Sequence, residues 1–100
     1  MLEIYAKEFI GIATYLQKKE QPHKGYLLVE KPVLEKLLNK NAFDTSHNKL
    51  KIWKALRWID ADKDRRVTKR VYDGKDEKYK PYVKMDLAVL EVLKKLCKSS

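Results

Sequence analysis

The sequence predicts a single α+β domain in the order helix, strand, helix, helix, strand, strand, helix. Three observations point to it. Apolar residues recur at spacings of three and four in separate segments, the mark of helices with one buried face. Residues 65–72 and 79–85 are instead strand-like and flank Asp73-Gly74, a strong hairpin-turn signal. The formal net charge of +9 is confined to one of the helices and to that hairpin.

The chain has 100 residues, enough for one domain (1–100) and no second. Its 44% apolar content suffices for a modest core. A chain this small buries a lesser share of its surface than a large one, so a partner subunit would help it. The single cysteine, Cys97, excludes an intrachain disulfide and fits a reducing compartment. No apolar run approaches the roughly 18–20 residues that span a bilayer. The opening MLEIYAKEFIG carries Glu3 and lacks the basic start of a secretory signal. The expected location is the cytoplasm.

The first helix is expected over residues 2–19, with Leu2, Tyr5, Phe9, Ile12 and Leu16 on one stripe. Ile4 and Tyr15 lie on the far side with Gly11. They are either scattered surface apolars or a second contact face used by a partner copy. Glu20 to Gly25 is a turn, punctuated by Pro22 and Gly25. Tyr26–Val29 is a short strand. Pro32 suits the first position of a helix that runs to Asn39, with Val33, Leu34, Leu37 and Leu38 as its apolar face.

Thr45 and Ser46 are good N-cap residues for a third helix over 46–58. Its inner side would hold Ile52, Trp53, Leu56 and Ile59. Its outer side would hold His47, Lys51, Lys54 and Trp58, flanked by Asn48 and Arg57. Thr45 to Trp58 contains Lys49, Lys51, Lys54 and Arg57 and no acid. A polar connection, Ile59 to Asp64, leads to the strand Arg65–Tyr72, with Val67 and Val71 on one face. After the turn, Tyr79–Met85 returns with Val83 and Met85 facing inward, and Pro81 marks it as an edge near its start. Between Lys63 and Lys84 there are nine Lys/Arg against Asp64, Asp73, Asp76 and Glu77. Asp86 would cap a final helix reaching Lys98, with Val89, Leu90, Leu93, Leu96 and Cys97 as its stripe.

Two short helices joined by a tight turn, the second with a basic outer face, then a basic hairpin: in this element order and charge the chain resembles the winged helix-turn-helix family. The resemblance spans nearly the whole chain and rests on no short motif. Its size and added terminal helices are similar to the TcpK-like relaxosome accessory proteins of conjugative plasmids. The resemblance implies duplex DNA as partner. His47, Asn48 and Lys51 would meet base edges, and Lys49, Lys54 and Arg57 would lie nearer phosphates. Asn can pair bidentately with adenine. The wing would add Arg65, Arg66, Lys69 and Arg70, then Lys75, Lys78 and Lys80 at and after its tip. The spare apolar face suggests, apart from the resemblance, a homodimer through the first and last helices, by Ile4, Gly11, Tyr15, Val92 and Leu96. A relaxase or another conjugation protein would be a further partner, or the chain would act as a small transcriptional regulator.

Each reading has a plainer rival. A Lys-rich helix stripe is usually just solvated, and charge on a hairpin protects its edge from aggregation. Trp53 reads as core, and Trp58 as packed under the wing. The basic surface could equally dock an acidic protein. Single-strand or RNA binding is the third reading, against which Tyr72, Tyr79 and Tyr82 are few and make no clear stacking platform. Asp60-x-Asp62-x-Asp64 resembles the start of an EF-hand loop but has Arg65 where that loop needs Gly and Val71 where it needs Glu. With His23, His47 and Cys97 alone, and no Gly-rich phosphate loop, no catalytic set, metal site or cofactor is expected.

Overall fold

The computed structural model describes residues 2–98. The elements are α1 (Leu2–Gln17), β1 (Tyr26–Val29), α2 (Lys31–Leu38), α3 (Ser46–Ala55), β2 (Ile59–Asp60), β3 (Lys69–Asp73), β4 (Lys78–Asp86) and α4 (Leu87–Lys98). The strands form one antiparallel sheet organised by β4. Its C-terminal half pairs with β1, Tyr26 opposite Asp86 and Val29 opposite Val83. It pairs also with β2, Ile59 opposite Met85. Its N-terminal half pairs with β3, Lys69 opposite Tyr82 through Asp73 opposite Lys78. Helices and sheet close over a core whose innermost members include Phe9, Leu27, Leu34, Leu38, Leu50, Trp53, Val83, Met85 and Leu90. Phe9 sits between both tryptophans, its ring centroid 4.9 Å from Trp53 and 5.5 Å from Trp58. Among the described residues no helix is long and apolar enough to cross a membrane.

Local chemistry explains most of the boundaries. A two-residue turn, Lys24-Gly25, precedes β1 with φ of 52° and 87°, where only glycine is at ease. Pro32 occupies the first turn of α2, one residue after its start. Thr45 caps α3, its Oγ1 accepting from the Asn48 amide at 3.1 Å. Asp86 caps α4, its Oδ1 accepting from the Ala88 and Val89 amides at 2.9 and 3.3 Å. The expected ends of α1, β1, β4 and α4 therefore hold within one or two residues.

The third helix departs from expectation in length and in facing. It ends at Ala55, three residues early. Arg57 takes a left-handed conformation with φ of 61°. Its amide donates to Lys54 O at 3.0 Å, and the Trp58 amide donates to Trp53 O at 2.9 Å. That pair of bonds is the Schellman stop, and it drops Trp58 into the core against Phe9. The buried side of α3 is Lys49, Leu50 and Trp53. Leu56, expected inside, is exposed. The helix is rotated by roughly 80° from the expected facing, at about 100° per residue.

Residues 65–68, expected to open the strand 65–72, instead continue the loop that begins at Ala61, and β3 starts only at Lys69. Val67 is buried and anchors this loop. Lys54 Nζ donates to the Arg66 carbonyl at 2.6 Å and to the Asp64 carbonyl. Asp64 Oδ1 accepts from the Arg66 amide at 2.8 Å. Side chains thus satisfy the backbone groups that a ladder would otherwise have paired. The connection expected at Ile59-Asp60 is instead the short strand β2.

Candidate nucleic-acid interface

The outward face of α3 presents His47, Asn48 and Lys51, all exposed. Opposite it the loop presents Arg65 and Arg66, also exposed. Between them is a cleft of about 470 Å³ lined by Lys31, His47, Leu50, Lys51, Arg65, Arg66, Val67 and Thr68. Four of these residues are Lys or Arg and none is acidic. Lys31, from the start of α2, was not anticipated from the sequence. Only the fold brings it beside Lys51.

Several expected contacts are already committed within the protein. Lys49 is fully buried rather than facing solvent. Its Nζ lies 3.0 Å from Glu8 Oε2 and donates to Leu38 O at 2.7 Å and Asn41 O at 2.5 Å. It stands 4.1 Å from the centroid of Phe43. The ammonium closes the C-terminal end of α2, where unpaired carbonyls and the helix dipole favour a cation. Its assignment to a phosphate is therefore corrected: burial and pairing remove it from the surface. Lys54 is half-buried and holds the loop carbonyls of Asp64 and Arg66. It positions Arg65 and Arg66 rather than reaching outward. Arg57 is exposed but lies beyond the helix end, off the face that presents Lys51.

On the hairpin, Lys69 pairs with Asp60 at 3.3 Å and Lys80 with Asp73 at 3.3 Å. Lys80 also bonds Asp76, and these two carboxylates, Asp76 foremost, hold its ammonium in the charged form well above the ordinary lysine range. The Lys75 amide lies 2.9 Å from Asp73 Oδ1 and holds that carboxyl below its usual range. Arg70, Lys75 and Lys78 remain exposed. Asp60 is subject to desolvation, which raises its pKa, but bonds from Lys84 and Lys69 outweigh it and the net shift is downward. The first acid of the EF-hand-like run is thus spent on two lysines of the sheet. Among the described residues no group of three or more His, Cys, Asp or Glu could hold a metal.

Asn48 combines two roles. Its amide takes the Thr45 cap, and its Nδ2 donates to Asp44 Oδ1 at 3.2 Å. Asp44 is fixed in turn by the Tyr5 hydroxyl at 2.8 Å and the Thr45 amide at 2.7 Å, which depress its pKa in that order. The start of α3 is thereby pinned to α1. Of the expected dimer face, Ile4, Gly11, Tyr15, Val92 and Leu96 are all exposed. Gly11 and Tyr15 line a shallow hollow of about 240 Å³ beside Lys40 and Leu37, on the α2 side of α1.

No protein-family model matches the chain, and no curated protein matches it.

Proposed function

We propose that this chain is a winged helix-turn-helix protein that binds duplex DNA with sequence preference and acts by binding rather than by catalysis. The observation that carries the reading is the acid-free cleft where His47 and Lys51 face Arg65 and Arg66. Phosphates neutralised by such a cluster release condensed counterions, which favours binding to a polyanion over solvation of scattered lysines. The helix α3 takes the recognition role, the loop and β3–β4 hairpin take the wing role, and Lys54 ties the two together. A homodimer through α1 and α4 would set two such units on half-sites about 34–36 Å apart. The biological role we favour is accessory binding at a plasmid transfer origin beside a relaxase, with small-repressor action as the alternative within the same chemistry.

The test is selection from random duplex DNA at about 150 mM salt, followed by salt titration of the enriched site. An enriched motif is expected, with Lys51→Ala and Arg70→Ala each lowering the salt slope by about one. No enrichment, with both variants unchanged in affinity, refutes the surface and turns attention to an acidic protein partner.

A further inference from the structure

We propose that the outward face of the β3–β4 hairpin is a stacking platform for unpaired bases, so that the protein also binds single-stranded DNA. This goes beyond the duplex reading and does not depend on it. The sequence suggested too few exposed tyrosines for such a platform. The register nevertheless sets two of them side by side. Tyr72 lies opposite Tyr79, and Arg70 opposite Pro81. Side chains two apart on a strand share a face, so all four project from the same side of the hairpin. All four are exposed, with Tyr72 at 52% and Tyr79 at 66%. Tyr82 alternates to the other face and is half-buried.

The two rings meet edge to face, centroids 5.4 Å apart at 65°, so Tyr72 props Tyr79 while leaving ring surface open. Tyr79 and Pro81 floor a hollow of about 610 Å³ whose walls carry Arg66 and Arg70 together with Lys69, itself bridged to Asp60, and with Asp62 the one carboxylate on it. Two tyrosines held outward at the cost of apolar exposure, beside guanidinium groups, match what unpaired nucleotides require. Bases stack on the rings while the cations follow the phosphates. A duplex hides its base faces in its own stack and gives these rings nothing to bind. Arg66 borders both this hollow and the cleft beside α3, so a strand leaving a duplex held in that cleft could pass directly onto the platform.

The test uses fluorescence anisotropy with a labelled thymidine oligomer of about 12 nucleotides, an abasic oligomer of the same length and charge, and a uridine RNA oligomer. Charge is equal in the first two, so any difference between them reports the bases. The thymidine oligomer is expected to bind at least about 5-fold more tightly than the abasic one. Tyr79→Ala should erase that preference, Tyr79→Phe should keep it, and Tyr72→Ala should weaken it. Both tyrosines are exposed, so the Ala variants should retain the parent's thermal unfolding. Equal binding of thymidine and abasic oligomers, or full preference retained in Tyr79→Ala, overturns the proposal. Tighter binding of the RNA oligomer through the same tyrosines overturns its assignment to DNA. Duplex affinity, read separately with Lys51→Ala, keeps failure of this proposal distinct from failure of the duplex reading.

Discussion

Lys49 offers the sharpest test of what the basic helix is for. Replacing it with Met retains much of its length and removes the ammonium. Three contacts disappear: Glu8 Oε2 at 3.0 Å, Leu38 O at 2.7 Å and Asn41 O at 2.5 Å. Glu8, with a side chain only 3% exposed, is left with the Asn41 side-chain Nδ2 donating to Oε2 at 3.2 Å, and its Oε1 has no hydrogen-bond partner even in the parent. Stripping one ion from a buried pair costs about 3–5 kcal/mol, because the survivor stays desolvated and unpaired. Domains of this size hold a total stability of about 5–15 kcal/mol, so Lys49→Met should lose a large part of it. Adding Glu8→Leu removes the orphaned charge. The double variant should recover to a deficit of about 1–3 kcal/mol, the cost of the Leu38 and Asn41 carbonyls losing the Lys49 donor. Lys51→Met, on the exposed face of the same helix, should stay within about 0.5 kcal/mol of the parent. Urea unfolding followed by tryptophan fluorescence reads all of these, since Trp53 and Trp58 are both buried. A Lys49→Met loss below about 1 kcal/mol, or a double variant as poor as the two single losses combined, would refute this account of the pair.

Two further predictions concern stability. Arg57→Gly relieves a left-handed backbone that costs a non-glycine residue about 1–2 kcal/mol, offset in part by the greater freedom of glycine in the unfolded chain. It should raise the urea midpoint while Arg57→Ala, which keeps the strain, does not; a lower midpoint for the Gly variant would contradict the Schellman geometry. Asp60, Asp44 and Asp73 all have depressed pKa values in the folded protein. Their contribution is present above the unfolded aspartate value of about 3.9 and fades as pH falls through their lower folded values. The parent should therefore lose stability in acid below about pH 4, and Asp60→Asn should show a shallower loss there; identical pH dependence in parent and variant would remove the lysine bridges as its cause.

The elements that local chemistry dictates were legible in the sequence. The period of Phe9, Ile12 and Leu16, the caps at Thr45 and Asp86, and the turn before β1 depend on residues a few places apart. What could not be read depends on distant partners. Lys49 looks like any surface lysine until α1 brings Glu8, 41 positions away in sequence, within 3.0 Å of it. A lysine in a run free of acids reads as outward, yet the fold uses Lys49 as an internal counter-charge. Arg57 gave no sign of a helix stop because that position is usually glycine. Residues 65–68 looked like strand because Val67 and Thr68 favour it, and the deciding contact, Lys54 on the loop carbonyls, is tertiary. The basic surface survived these changes with fewer members. The cleft gained Lys31 and lost Lys49, and the hairpin keeps Arg70, Lys75 and Lys78 exposed while Lys80 is paired with Asp73 and Asp76 at its own tip.

The junction of β4 and α4 has a mechanical consequence. Asp86 ends the strand and caps the helix, and Leu87 begins α4 with no residue between. The hairpin, the central strand and the last helix are thus one continuous beam. The turn Gly74–Glu77 and the loop 61–68 both lie outside this run. The hairpin that presents Arg70 and the helix that presents Val92 and Leu96 therefore share one uninterrupted stretch of regular backbone. From the hairpin strand to the exposed Val92 and Leu96, no loop residue interrupts the backbone.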